Sequence, residues 1–512
     1  MVNVNKKWAA LIAVALSTFL ISLDSTFMNV AINSLVIDLN TTVSTVQLII
    51  TFYTFITASL MLVTSKLMDI IGKKRVFVLG AISFAVGTLI ASLSTNPIIL
   101  FMGWSFFEGI GAALMLPATI TIVTGTYKDK DLTMALAIMS ALGGIAAAIG
   151  PLFGGFVTTF LSWRYGFAIE LLVVIFILIF TKNIKKFETT LHKSDFDIIG
   201  AILSITSLVI LITGVLNLSD FSKLTETITL LILGAIFITI FYYYEKYRIK
   251  SNLNPLLDLR MFKTAPNLKL GTLLRLISMI GVAGSIFSIS LYLQSIAKVD
   301  AFTNGLVLMP LTLGLLIFSL FSTKLTKYLS HKRIITIGFI LSIIGLLFLR
   351  TRFGLNLNLY TLIPGMFIFG SGMGLIISLS LDSSLLGVKD ENHTGASGFL
   401  TTGANLGSSV GTALIGTILI LGSVSGLHSA INTYYPNQIT NQQFKSNLAL
   451  YFQKMGNVNI TTLKGKETIG AQIINTVIHQ AMFTALDAMI VIMIIGLILS
   501  LFLKEKTDLK KN

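Results

Sequence analysis

Apolar runs of about 20 residues recur along nearly the whole chain, and each is long enough to cross a hydrocarbon core of about 30 Å as an α-helix. Inside lipid every backbone polar group must be satisfied within the segment, so runs of this length read as helices. The composition agrees. Of 512 residues, 54% are hydrophobic and only 12% charged, against about a quarter charged in soluble domains. The expectation is an all-α polytopic membrane protein.

The runs predict helices near 8–36, 44–68, 75–94, 97–126, 132–160, 163–182, 197–218, 226–245, 266–294, 302–326, 333–350, 357–386, 394–422 and 480–503, about fourteen in all. Lys and Arg cluster in alternate loops, at Lys6–Lys7, "GKKR" (72–75), "YKDK" (127–130), "KNIKK" (182–186), "EKYRIK" (245–250), "KLTKYLSHKR" (324–333) and the tail "KEKTDLKK". The intervening loops, such as "DLNTT" and "STNP", are nearly free of them, with Arg164 and the lysines of 423–478 as exceptions. The positive-inside rule then predicts a multi-pass protein of the cell membrane with both termini cytoplasmic. The net charge of +15 is dispersed over these loops and reports topology, so no nucleic-acid partner is expected. The basic opening has too long an apolar stretch for a cleaved signal peptide and lacks a small-x-small site, so it is expected to remain as the first span. The chain has no cysteine, which excludes disulfides, thiolate metal sites and cysteine nucleophiles.

Internal similarity sets the domain reading. "SKLMDIIGKKR" (65–75) recurs as "TKLTKYLSHKR" (323–333), with matches at Lys66/Lys324, Leu67/Leu325, Lys74/Lys332 and Arg75/Arg333. Both copies join the second and third helices of a six-helix unit, and such repeats are a common way to build transporters. The expected organisation is a six-helix bundle at 1–182, two inserted helices with linkers at 183–265, and a second six-helix bundle at 266–512. The last unit is expected to carry a long, polar extracellular loop at 423–478.

Four segments carry a family resemblance. "SKLMDIIGKKR" resembles the loop signature of the major facilitator superfamily, Gly-x-Leu-x-Asp-x-x-Gly-x-Lys/Arg-Lys/Arg, with Ser65 at the first Gly. The resemblance implies a cytoplasmic gate at Asp69, Gly72, Lys73, Lys74 and Arg75, whose basic residues can pair with acids across it. The alternative is simple topogenic charge. "LDSTFMNVAIN" (23–33) resembles the first-helix motif of the fourteen-span drug:proton antiporters, with Asn33 in place of Pro. "GIAAAIGPLFGG" (144–155) resembles the fifth-helix antiporter motif at Gly150, Pro151, Gly154 and Gly155, which implies a hinge where small residues let helices approach closely. "SWRYGFAIE" (162–170) resembles the segment opening helix six, with Glu170 where Asn is commoner. Helix four departs most: the pattern Arg-x-x-Gln-Gly-x-Gly falls on Ser105 to Gly111, so the Arg that the family associates with proton coupling is absent and Glu108 replaces the amide.

Buried charges are the functional candidates, because a charge at the bilayer centre costs about 2.5–3.5 kcal/mol on insertion scales and normally faces a cavity or a partner. At about 1.5 Å per helical residue, Asp24 lies about 24 Å from the inner start of its helix, and Glu108 and Glu170 about 16 and 10 Å from the outer surface. These three acids are therefore expected to share one cavity as the proton-coupling and cation-binding groups. Burial disfavours the charged form of a carboxylate without a fixed cation, which makes such a group a reversible proton carrier. Met28, Asn29, Trp104, Ser105, Phe107, Ala112 and Met115 are expected to line the cavity. Of these, Ser105, Ala112 and Met115 lie on the helical face of Glu108, and Trp104 and Phe107 offer rings to an organic cation or to packing. Arg275 is the one comparably deep cation and can pair with an acid. For each acid the competing reading is a structural hydrogen bond to a neighbouring helix. Asp382 and Asp487 fall near predicted helix ends and read as solvated.

The expectation is a monomeric exporter of amphipathic cationic drugs or dyes driven by protons, with no cofactor, metal or enzymatic chemistry. Export or flipping of a lipid or metabolite is the alternative. A membrane enzyme would need a cluster of nucleophile, base or metal ligands at a membrane face, and the five histidines (192, 331, 393, 428, 479) form no helix-spaced pair. A receptor would not need two repeated bundles.

Overall fold

The computed structural model describes residues 2–187, 189, 196–217, 224–385, 388, 393–434 and 468–505. Among the described residues, fourteen helices are long and apolar enough to cross a membrane and there is no strand. The first six are α1 (Trp8–Asp38), α2 (Val43–Ile71), α3 (Lys73–Ser92), α4 (Pro97–Thr126), α5 (Asp129–Phe160) and α6 (Trp163–Asn183). The inserted pair is α7 (Ile198–Asn217) and α8 (Leu224–Lys250). The last six are α9 (Asn267–Ser295), α10 (Ala301–Leu325), α11 (His331–Arg350), α12 (Leu359–Leu385), α13 (His393–Tyr434) and α14 (Ile469–Ser500).

Local chemistry explains the helix starts. On one face of the bundle, α2, α4, α6, α10 and α14 are each capped by a short polar side chain, Thr42, Asn96, Ser162, Asp300 and Thr468, that accepts from a backbone N–H of the first turn. Such caps satisfy donors that a helix leaves orphaned. On the opposite face, α2 passes into α3 through Gly72 alone, at φ +94°, a left-handed conformation that glycine adopts without a Cβ penalty.

Each bundle has its own apolar core, one centred on Phe27, Phe77, Phe84 and Trp104 and joined by Phe287 from α9, the other on Phe339, Phe353 and Phe369. The two meet along two seams. Along α2 and α13, the Gln47 amide donates to the Thr412 carbonyl at 3.0 Å, Ser409 donates to the Thr51 carbonyl at 3.1 Å, and a Cβ on Gly398 would lie 2.5 Å from the Ser65 hydroxyl. Along α5 and α10, Gly155 and Gly305 press on backbone of Ala301 and Pro151, and the rings of Phe156, Phe160 and Phe302 cluster. The inserted pair packs on itself, with α7 resting against α2 and α13, while α8 leaves its flanks exposed.

Two expectations change. Residues 423–434 and 469–478 of the segment expected as a loop are helical, because α13 runs on to Tyr434 and α14 starts at Ile469; residues 435–467 fall outside the described ones. Asp487 consequently sits inside α14 instead of near its end, where it is ion-paired with Arg350, whose guanidinium also stacks on Phe483.

Candidate functional site

The site begins with how α4 is wound. After the Asn96 cap and Pro97, residues Phe101–Glu108 form a π-helix before the α-helix resumes at Gly109. Such turns are rare and are frequent at functional sites. They widen the helix locally, and here glycines make room for it against the neighbouring helix. A Cβ on Gly87 would lie 2.6 Å from the Glu108 nitrogen, one on Gly103 2.5 Å from the Ala91 nitrogen, and one on Gly111 2.7 Å from the Phe84 nitrogen. The α3 and α4 backbones thus touch, and no residue larger than glycine fits at those three positions.

This winding brings together the three acids expected from the sequence. One carboxylate oxygen from each of Asp24 (α1), Glu108 (α4) and Glu170 (α6) lies within 4.8 Å of the others, and all three residues are fully buried. The Trp104 indole N–H donates to Asp24 Oδ1 at 2.9 Å. Tyr53 of α2 stacks on Trp104, with centroids 5.5 Å apart and planes 21° apart, and its hydroxyl faces Asp24. Phe167 meets the other side of the indole edge-on at 6.1 Å. Thr88, the hydroxyl beside Glu108, gives its proton to the Phe84 carbonyl at 2.5 Å. Both carboxylate oxygens of Glu108 and of Glu170, and Oδ2 of Asp24, are left without a hydrogen-bond partner among the described residues.

No Lys, Arg or His pairs with these acids among the described residues. Three like charges at this spacing repel by about 3–4 kcal/mol per pair even at an effective dielectric of about 20. Orphaned acceptors in a dry interior add a desolvation cost of about 1–3 kcal/mol each. The cluster is chemically fit to hold protons or a cation, and its neighbours supply nothing else to neutralise it.

The remaining candidates separate. Met28, Ala112 and Met115 are buried beside the acids' helices. Ser105 points elsewhere, donating to the Ile49 carbonyl of α2 at 2.7 Å. Asn29 joins the bundles instead, its carbonyl accepting from Gln294 of α9 at 3.1 Å. Phe107 lies edge-on to the exposed Phe106 at 5.3 Å. Arg275 pairs with none of the three acids: its Nη1 donates to the Ile377 carbonyl at 3.0 Å, and Nε has no partner among the described residues. At the Gly72 turn, Lys74 donates to the Ile184 carbonyl at 2.7 Å and Lys73 lies over the Phe187 ring at 5.2 Å, so these cations meet the carbonyl end of α6 within their own bundle, where a helix terminus favours positive charge. Asp69 sits between Lys66 and Lys73. In α5, Gly150 and Gly154 press on Thr26 and Phe27 of α1, and Gly155 on Ala301 of α10, around Pro151.

A second buried charge cluster was not singled out from sequence. Asp197 caps α7 by accepting from Gly200 N at 2.9 Å and is paired with Arg248 of α8 at 3.2 Å. Glu245, also buried, accepts from Leu257 N at 3.3 Å. In the linker beyond, burial pushes the Asp258 carboxyl up, but the Arg260 guanidinium, donating at 2.9 and 3.1 Å, outweighs it and holds the group below the ordinary carboxylate range.

Two bundles of six helices with an inserted pair, and acids in the first bundle, define an architecture that comparison with known proteins resolves. Residues 14–412 match the model of the Major Facilitator Superfamily. The chain belongs to that superfamily. It is a membrane transporter of small molecules on that ground, and its relatives fit. A probable actinorhodin transporter of Streptomyces coelicolor is 26% identical over 82% of this chain and 74% of its own. The multidrug efflux pump LfrA of Mycolicibacterium smegmatis is 25% identical over 81% of each. A solved bacterial homolog of the human lysosomal transporter Spinster, in an inward-facing and unoccupied conformation, superposes with a TM-score of 0.60 at 14% identity, covering 97% of this chain and 96% of that one. This last likeness concerns the superfamily fold alone.

Tyr53, Gly87 and Thr88 complete the site in this superfamily member and were not anticipated. The available signal was a hydroxyl in "TFYTF", but an aromatic residue at helical spacing reads first as packing.

Proposed function

We propose that this chain is a secondary active exporter of amphipathic cationic drugs or dyes, driven by proton antiport through alternating access. The observation that carries the reading is the set of three fully buried carboxylates in one bundle with no fixed cation. Protons neutralise the set in one conformer; their loss restores a negative field that favours a cationic substrate between the bundles, so each occupant opposes the other. The efflux named for the relative LfrA supports the direction of transport.

The moving bodies are residues 1–182 and 266–512, with 183–265 between them and the Gly72 face in the cytoplasm. Small-residue contacts at Gly150, Gly154, Gly155 and Gly305 supply close, low-friction seams, and the chain works as a monomer. The test is purified protein in liposomes under an imposed pH gradient, with cationic dye flux measured for wild type and Glu108→Gln. Gradient-dependent flux that is lost in the variant supports the reading. Equal flux without a gradient and in the variant sinks it.

The second reading, export or flipping of a lipid or metabolite with altered coupling, is favoured by Ser105, which stands where the family pattern has Arg and spends its hydroxyl on Ile49. A substrate screen in export-deficient cells separates the two.

A further inference from the structure

We infer that the Asp24, Glu108 and Glu170 cluster is a binding site for one hard inorganic cation of the Ca2+ or Na+ class, held by oxygen donors alone. The inference deepens the proposed function, since it gives the coupling site of that exporter a metal-ion occupant, but it stands on the geometry of the cluster.

The donor set comes first. Three carboxylates from three helices converge within 4.8 Å, and Ca2+ bound at about 2.3–2.6 Å bridges oxygens up to about 4.6–5.2 Å apart. No imidazole or thiolate belongs to the group, which disfavours Zn2+ and the softer metals. Mg2+ sheds its waters reluctantly and normally keeps several; all three acids here are sealed at 0% exposure, so a site of this dryness favours a larger ion that exchanges its shell for protein oxygens.

Two further observations point at an occupant. The Tyr53 hydroxyl, on a residue 3% exposed, is turned toward the same acids and faces Asp24 without reaching full hydrogen-bond geometry. It adds a fourth oxygen aimed at the cluster from a fourth helix. Five carboxylate oxygens are likewise buried and unpartnered, whereas native interiors leave few such groups. The π-helical turn in α4 and the glycine contact at Gly87 hold Glu108 in this position, a local distortion that a purely structural acid does not require.

The enclosing rings also separate this site from the organic substrate. Trp104, Tyr53 and Phe167 form a continuous aromatic wall beside Asp24, and with all three acids fully buried no drug-sized molecule reaches them in this conformer. The acids lie 84 and 62 positions apart in the sequence, so no local spacing motif announces them.

The test is equilibrium binding of radioactive Ca2+ and Na+, with Mg2+ as competitor, to the purified full-length protein in detergent. Trp104 fluorescence is read in parallel in a Trp8→Phe, Trp163→Phe background, where the indole bonded to Asp24 is the sole emitter. Saturable binding of one Ca2+ or Na+ per chain with a change in Trp104 emission is expected. Glu108→Gln and Glu170→Gln should each weaken it at least tenfold, Tyr53→Phe several-fold with every carboxylate intact, and Glu245→Gln should leave it unchanged. Absence of binding by both ions, tighter binding of Mg2+ than of either, or binding that survives Glu108→Gln and Tyr53→Phe overturns the proposal and leaves protons as the sole occupant. Gradient-driven dye flux without ion binding defeats this inference and spares the proposed function; ion binding without dye flux does the reverse.

Discussion

The indole nitrogen of Trp104 lies 2.9 Å from Asp24 Oδ1, and this one bond ties the π-wound start of α4 to the middle of α1. No other side chain among the described residues donates to the three acids in full hydrogen-bond geometry. Trp104→Phe keeps the ring and removes the donor, leaving a further buried acceptor unsatisfied at a cost of about 1–3 kcal/mol. The variant is expected to melt at lower temperature in detergent. In a double-mutant cycle with Asp24→Asn the two losses should be clearly less than additive; strict additivity would mean that the bond carries no coupling.

Glycines along α5 make a graded prediction. A Cβ on Gly154 collides with the Phe27 carbonyl and one on Gly155 with the Ala301 carbonyl, whereas one on Gly395 meets nothing within 4 Å. Gly154→Ala and Gly155→Ala should each cost about 1–3 kcal/mol through overpacking, and Gly395→Ala should be neutral or stabilising by up to about 1 kcal/mol. Thermal unfolding of the three variants side by side decides it, with Gly155→Ala expected to slow flux as well because it wedges the seam between bundles.

Arg248→Ala should loosen the inserted pair. It strips the cation from Asp197, whose side chain is fully buried, and leaves Glu245 beside it. Removing one partner of such a pair costs about 3–5 kcal/mol. Hydrogen exchange is expected to accelerate in α7 and α8 while the six-helix bundles stay protected, and Asp197→Asn added to Arg248→Ala should restore much of the protection. Exchange that rises uniformly across all helices would rule out a local role.

Asp258 and Arg260 give a pH dependence. The Asp258 carboxyl is held below its ordinary value of 3.8, so the stabilisation is present above that value and is lost as pH falls through the lower, folded-state value. Arg260 is largely exposed, so Arg260→Ala should cost no more than about 1 kcal/mol at neutral pH. The difference from wild type should vanish once the medium is acidic enough to protonate Asp258 in both proteins. A difference that persists there would assign the effect to packing.

The helices were legible because lipid demands long apolar runs, and the capping residues Thr42, Asn96, Ser162 and Asp300 stand just before them in plain view. The acids were legible for the same reason: a charge among apolar neighbours is conspicuous. Their convergence was only a length estimate until the structure joined α1, α4 and α6. What was hidden depends on contacts across the fold. Asp487 read as a helix-end residue because nothing in its vicinity names Arg350, which lies 137 positions away. Asp197 and Glu245 stand at the ends of the predicted helices 197–218 and 226–245, where charge is ordinary, and their burial follows from α8 folding back on α7. Arg275 was offered a carboxylate partner by elimination, yet it is a backbone carbonyl that accepts its proton.

The wide turn at Phe101–Glu108 also puts the spelling of α4 out of phase with its geometry. In a uniform α-helix, the position one turn before Glu108 and on its side falls at 104 to 105, and the motif assigns the missing arginine to Ser105. With the extra residue accommodated in the turn, Trp104 is the side chain that joins the acids, while Ser105 departs toward Ile49. Aligning this helix letter by letter with a uniform α-helix therefore pairs residues that do not occupy equivalent points in space. An arginine written back at 105 would leave the helix in the direction of the α2 backbone, and it is Trp104 that holds the inward-facing place.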